Sequence, residues 1–380
     1  MGIRTTRRQD MDGMGIEGFR KHNRKMVLFV LSMILLTTAT ALAALCMNTD
    51  LGLSSVIGIV FDRYGPGVDP IDSILVWDLG LPRIVSALLA GVALGAAGAV
   101  MQCVLRNPLG SPYTLGISNA AAFGASIGIV LFGGGVIVGQ SSAFVQIDNP
   151  YIVTASAFMW SMIATAIIIV LVKVTKVSPE TMVLAGVALS SIFSAGISLL
   201  QYIFNEYALS TIVFWQFGSM GKASWEELGL IFVVCIVASL YFMYNRLDYN
   251  ALDAGDDVAS SLGVNVNRTR ILTLVLAALV TSIVVSFMGI IAFIGLLGPH
   301  IVRRFVGNDH RYLIPGSMLM GAIILLVSDC IGQNIADFTI PVGIITSFLG
   351  GPLFLYLLIR GYRKKRVNII EKLRRGGAGE

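Results

Sequence analysis

The chain has 380 residues, 56% of them hydrophobic and 13% charged, with a mean hydropathy of +0.81 and a net charge of +5. A soluble domain carries about 25% charged residues, so the composition excludes a soluble globular enzyme and describes a polytopic membrane protein. The four cysteines (Cys46, Cys103, Cys235, Cys330) fall in or beside apolar runs at no metal-like spacing, which reads as packing thiols and not as disulfides or metal ligands.

The first 26 residues hold seven Lys/Arg, and an apolar run follows over 27–47. A secretory signal has a shorter basic region and a shorter apolar core, so this run reads as a retained first helix. Further runs suited to spanning helices lie at about 82–105, 113–133, 151–173, 181–203, 228–245, 270–294, 311–334 and 341–360. A shorter run, 295–306, follows the seventh directly. It is too short to span and needs protein around it, and with it the count is ten.

Charge fixes the orientation. With ten segments, 24 of the 27 Lys/Arg fall on the side of the two termini, and only Arg63, Arg83 and Lys222 lie opposite. The positive-inside rule then makes both termini and the 246–270 loop cytoplasmic. The external loops, such as 48–80 with five aspartates and one arginine, are too small to fold as separate domains. The basic ends read as topology signals and contacts to anionic lipid, not as nucleic-acid binders.

Two spans are rich in small residues: SALLAGVALGAAGAVM (86–101) and VLAGVALSSIFSAGISLL (183–200). Such spacing lets helix backbones approach closely, and such faces also suit a smooth, weakly polar pathway.

The polar interruption ALDAGDDVASSLGVNVNRTR (251–270) predicts two short helices at a bend. Asn250 is the expected N-cap, Gly255 the first C-terminus, and Asp256 and Asp257 occupy the first turn of the second helix, with Gly263 ending it. Leu252, Gly255, Ala259 and Leu262 share one face by helical spacing. A surface-lying membrane helix wants Lys/Arg and bulky apolar groups; this acidic, small-residue stretch suits a socket in a protein partner. No phosphate-cradling GxxxxGK[ST] loop is present, because GSMGKAS (218–224) has Gln216 where glycine is needed and Ala223 after the lysine. An ATPase, if one drives the protein, is a separate subunit. An ion-driven transporter would want several charged residues in mid-membrane, and only Asp329 is found. HExxH and paired catalytic carboxylates are absent from the spans.

Several motifs in order carry a family likeness: LPR (81–83) with GAVMQCVLRNPLGSPYTLGISNAAAFGA (98–125), VLAGVALS (183–190), WQFGSMGKASW (215–225), ALDAGDDVASSLGV (251–264), GIIAFIGLLGPHIVRR (289–304), DHRYLIPGSMLMGA (309–322) and IPVGIITSFLGGPLF (340–354). From about residue 77 to 360 the chain resembles the permease subunits of type II ABC importers for iron–siderophore complexes, haem and cobalamin. The resemblance implies an all-α bundle of about ten transmembrane helices. With the charge pattern it predicts a basic cytoplasmic tail at 1–26, a permease domain at 27–360 with coupling helices at about 248–263, and a second basic tail at 361–380. It also implies a second permease copy, two ABC ATPase subunits that carry ATP and Mg, an extracytoplasmic binding protein, and no cofactor or metal in this chain.

The same resemblance assigns Leu252, Gly255, Asp256, Asp257, Ala259, Leu262 and Gly263 to ATPase coupling, with Leu252 and Leu262 as apolar pegs. It assigns Arg83, with Arg63 or Lys222, to binding-protein docking; Gly80 stands where the family often has a further arginine, and Arg83 reads equally as a lipid-interface anchor. It places the cytoplasmic gate at Ser178, Pro179 and Glu180, where the family often has small hydroxyl residues. His300 reads as a hydrogen-bonding residue at a helix start or as an iron or haem ligand. Asp329 reads as a buried, hydrogen-bonded carboxylate or as a proton relay. The implied cargo is an iron complex, a ferric siderophore or haem, with cobalamin as the alternative.

Overall fold

The small residues of one helix set the geometry of the bundle. In the computed structural model, which describes residues 3–132, 135–137, 145–147, 149–175, 179–204 and 206–356, that helix stands at the centre and the rest surround it. The first helix, α1 (Ile3–Thr49), runs unbroken through the described part of the basic leader into the first apolar run. A short α2 (Leu53–Phe61) leads to α3 (Pro70–Val104). Helix α3 starts with Asp69 as N-cap and Pro70 at its first position. Its backbone widens to a π-turn over Leu75–Gly80, one turn that prepares for Pro82, whose ring has no N–H to give an ordinary turn.

Next come α4 (Ile117–Leu131) and a two-stranded antiparallel ribbon, β1 (Gly135–Ile137) with β2 (Val145–Ile147), in which Val136 pairs with Gln146. Helices α5 (Pro150–Thr175), α6 (Pro179–Ile203), α7 (Glu206–Gln216) and α8 (Trp225–Tyr244) follow. Helix α8 opens on a capping box of Ser224 and Glu227. The polar interruption forms α9 (Arg246–Ala254) and α10 (Asp256–Ser261). The last four helices are α11 (Val266–Met288), α12 (Ile294–Val306), α13 (His310–Asn334) and α14 (Val342–Tyr356).

Among the described residues, seven helices are long and apolar enough to cross a membrane. The shorter α4, α12 and α14 bring the bundle to the ten segments expected from the sequence. Helix α3 extends further toward its N-terminus than the apolar run at 82–105 suggested, because the segment 70–80 is itself helical. Residues 357–380, with the basic C-terminal tail, lie outside the described residues.

Glycines bring α3 into backbone contact with its neighbours. A Cβ on Gly91 would lie 2.3 Å from Ala322 Cα of α13, one on Gly95 2.1 Å from the Ser317 carbonyl oxygen, and one on Gly98 1.9 Å from the Gly295 carbonyl oxygen of α12. Lipid gives apolar side chains no drive to leave it, so close dispersion contact of this kind is what holds membrane helices together. The α4–α5 contact works in the same way: Gly124 admits Ser156, whose hydroxyl donates to the Gly124 carbonyl at 2.6 Å.

Between α11 and α12 the helix breaks over residues 289–293. Gly289 (φ +81°) and Phe293 (φ +67°) turn the chain back. Phe293 is a bulky residue in the left-handed region, held there by packing against Tyr113, Phe354 and the Cβ-free face of Gly350. The loop before α8 covers the break, and the Ser219 amide donates to the Met288 carbonyl at 2.8 Å. Irregular backbone at this depth is tolerated because protein, not lipid, surrounds it.

Gly98→Val places side-chain atoms where the Gly295 carbonyl stands and is expected to cost about 3 kcal/mol, the upper end of the usual overpacking range, because the clash is with backbone. Gly229→Ala on the open face of α8, where a Cβ meets nothing within 4 Å, is expected to raise stability slightly, by about 0.5–1 kcal/mol. Thermal unfolding of the two purified variants in detergent checks both.

Candidate coupling and docking sites

The two polar helices form one unit bent at Gly255. Its φ of +125° and ψ of 153° are open only to glycine. Gly263 (φ +86°) turns the chain out of α10 toward α11. Helix α9 begins at Arg246, with Asn245 as its N-cap residue, one turn earlier than the expected Asn250. Asn250 lies inside α9 and bonds outward to α13. Its amide donates to Asp309 Oδ1 at 3.0 Å, and its carbonyl oxygen accepts the His310 amide at 2.8 Å. These bonds tie α9 to the N-terminus of α13. Asp309 caps that helix and also takes the Arg311 guanidinium at 2.6 Å. Burial works to raise the Asp309 carboxyl, but hydrogen bonds from Arg311 and Asn250 outweigh it and hold the pKa at about 2.

Asp256 is the main fastener of α10. Its carboxylate receives Arg106 at 2.6 Å and Arg270 at 3.1 Å. Arg270 also donates through Nε to the Val104 carbonyl at 3.0 Å, the last turn of α3. The start of α10 is thus clamped to the ends of α3 and α11 by charge-assisted bonds. Tyr249 adds a buried bond to Thr273 of α11 at 2.9 Å.

The expected single apolar face divides between Ala259 and Leu262. Leu252 is 1% exposed and Ala259 fully buried, both turned into the bundle. The reading of Leu252 as an outward peg is corrected: Leu252 and Ala259, one on each side of the bend, both pack into the bundle, and Leu262, just past the end of α10, is left outward. Among the groups presented outward are Leu262, 69% exposed, Val258, 45% exposed, and Asp257.

At the opposite end, all three cations expected to dock a partner have partners within the chain. Arg83 binds Asp329 in a fork, Nε to Oδ2 at 2.7 Å and Nη2 to Oδ1 at 2.9 Å, and Gln333 donates to the same carboxylate at 2.8 Å. Asp329 is 3% exposed and Arg83 17%. The geometry answers two open readings at once: Asp329 is a buried, fully bonded carboxylate, and Arg83 is its counter-ion. Arg63 pairs with Asp78 at 2.6 Å and lies over the Trp77 ring. Lys222 is exposed and donates to the Trp215 carbonyl at 3.1 Å.

Of the expected gate residues, Ser178 lies outside the described residues, while Pro179 and Glu180 form the first turn of α6. His300 stands in the middle of α12, one residue after Pro299, and not at a helix start. Beside the helix break opens an apolar cleft of about 480 Å³, lined by Tyr113, Phe217, Ile290, Ile344 and Phe348. Among the described residues one set of side chains suited to a metal is gathered: Cys103, Asp253 and His310, with ligand atoms all within 4.8 Å of one another. Sequence spacing gives no sign of it, because the three are far apart along the chain.

Comparison with known proteins agrees with this architecture. Residues 32–360 match the FecCD transport family. A protein of Methanocaldococcus jannaschii described as an ABC transporter permease is 45% identical over 91% of this chain and 98% of its own length. The Fe(3+)-citrate import system permease protein YfmE of Bacillus subtilis is 32% identical over 90% of this chain and 96% of its own. A solved chain described as a metal-chelate type ABC transporter in an inward-facing conformation superposes with a TM-score of 0.73 at 30% identity, over 87% of this chain and 99% of that one. Further relatives are named for import of hemin, molybdate, ferric enterobactin and vitamin B12.

Removing one partner of the buried pair leaves an uncompensated charge, so Arg83→Gln and Asp329→Asn are each expected to destabilise by about 3–5 kcal/mol. The double variant is expected to lose less than the sum of the two, and a double-mutant cycle on thermal unfolding measures the coupling.

Proposed function

The chain belongs to the FecCD transport family, and on that premise we propose that it imports an iron complex, a ferric siderophore or haem, into the cytoplasm. It is an integral membrane protein and a permease component of an ABC importer of the metal-chelate type, not itself an enzyme. Iron complexes are favoured as cargo because relatives are named for Fe(3+)-citrate, hemin and ferric enterobactin; a relative named for vitamin B12 makes cobalamin the alternative. The apolar cleft beside the helix break offers few groups that would read one chelate against another.

One observation carries the mechanism: a bent two-helix unit that is rigidly fastened on one side and bare on the other. Leu262, Val258 and Asp257 would seat in a separate ATPase subunit. The lever arm is built from Asp256, Arg106, Arg270 and the Val104 carbonyl. When two ATPases close on ATP, a displacement of α10 would pass through those bonds to the ends of α3 and α11, and so to the helix break and the pathway. In this reading the 246–270 end is cytoplasmic, as are both termini, because the positive charge gathers there. A second copy of the chain would complete the pathway, and an extracytoplasmic binding protein would deliver cargo at the opposite end. There Arg63, Arg83 and Lys222 would reach that protein only as members of their existing pairs.

An ion-driven mechanism is disfavoured by the same geometry. Asp329 is matched by Arg83, which leaves no free proton carrier at that position.

Leu262→Asp is expected to abolish ATP-dependent uptake while thermal stability stays at the parent value, because the side chain is exposed. Uptake of labelled ferric siderophore, haem and cobalamin by a deletion strain, complemented with parent or variant, reads both the cargo and the coupling. Unchanged uptake by a well-expressed Leu262→Asp protein would remove α10 from the coupling route.

A further inference from the structure

We infer that Cys103, Asp253 and His310 form a binding site for a thiophilic divalent cation of the zinc class, at the junction of α3, α9 and α13. Their ligand atoms lie within 4.8 Å of one another. Ligands about 2.0–2.3 Å from a tetrahedral zinc stand about 3.3–4 Å apart, so the set needs to close by little more than about 1 Å.

Each residue is held by elements whose placement has other causes. Cys103 lies in the last turn of α3, Asp253 at the end of α9, and His310 opens α13. His310 is fully buried, with its Nδ1 3.8 Å from Asp253 Oδ2 and 3.0 Å from Asn250 Oδ1. Its Nε2 is buried with no partner. A ring nitrogen of a fully buried histidine without a hydrogen bond is uncommon and calls for an explanation. Asn250 also fixes the His310 backbone, the kind of outer contact that orients a ligating imidazole.

The charges point the same way. Asp256 is matched by Arg106 and Arg270, and Asp309 by Arg311. Asp253 pairs with no arginine or lysine among the described residues; Arg303 nearby is engaged by Gln102 at 2.9 Å. A divalent cation bound to one thiolate, one carboxylate and one neutral imidazole makes a neutral centre. Binding releases one proton to solvent, from the Cys103 thiol. One sulfur, one nitrogen and one oxygen donor suit zinc and exclude magnesium and calcium as preferred ions, and the fourth position stays open to water. Asp253 lies at the exposed rim and provides the entry side. The Cys103 thiol donates to the Tyr249 carbonyl at 3.4 Å. Occupancy replaces that weak bond with coordinate bonds that tie α9 to both α3 and α13.

The test is titration of the full-length, untagged protein in detergent with Co²⁺ as the probe, followed by displacement with Zn²⁺. The expected result is one equivalent per chain with a thiolate-to-cobalt charge-transfer band in the near ultraviolet. Cys103→Ser is expected to remove the band, Asp253→Asn to keep it while weakening binding at least about tenfold, and Cys330→Ala to change neither. Absence of the band in the parent protein, or its survival in Cys103→Ser, overturns the site. Should Cys103→Ser fail to fold, Asp253→Asn at the exposed rim decides alone: unchanged affinity overturns the proposal.

Discussion

The structure depends on the backbone approach of α3 to α12 and α13. Gly91, Gly95 and Gly98 present no side chain toward Ala322, Ser317 and Gly295, so carbonyl and Cα atoms meet directly. In lipid there is no hydrophobic drive between helices, and this contact supplies dispersion energy that longer side chains would forfeit. The ends of the same helix are then tied by charge. Arg83 and Asp329 join α3 to α13 at one end, and the Val104 carbonyl with Arg106 joins it to α10 and α11 at the other. A helix wedged along its length and anchored at both ends moves as a unit, which suits it to carry displacement across the membrane.

The bent unit α9–α10 inherits its rigidity from that helix. Asp256 is shared between two arginines, Tyr249 and Leu252 are buried, and Asn250 bridges to α13. Two helices this short would not persist alone in water. Their order comes from fastening to the bundle, and their outward face is left with few groups, chiefly Val258 and Leu262. Glycine at the bend is required by the backbone angles.

The break between α11 and α12 is the other departure from regular structure. A strained Phe293 is held by aromatic neighbours, and the loop ending in Ser219 satisfies the freed backbone. The apolar cleft opens beside it, lined from the break itself by Ile290 and from α14 by Ile344 and Phe348. Irregular backbone and a lined cavity occur together here, as expected where the bilayer forbids unsatisfied groups.

Apolar length, charge asymmetry and local chemistry are properties of contiguous residues, so the spans, the half-length α12, the glycine stripe and the bend at Gly255 with the acidic first turn after it were all legible along the chain. Pairings over long separations were not. Arg83 meets Asp329 across 246 residues, Arg106 meets Asp256 across 150, and Cys103, Asp253 and His310 converge from three elements. Helical spacing grouped Leu252 with Leu262, but Leu252 packs into the bundle while Leu262, past the end of α10, stays exposed. What each segment must be follows from its own residues, because lipid forces every span to be apolar and internally bonded. Which charges are consumed inside the chain, and which side chains are left outward, follows only from the packing, because both depend on where separate helices come to lie.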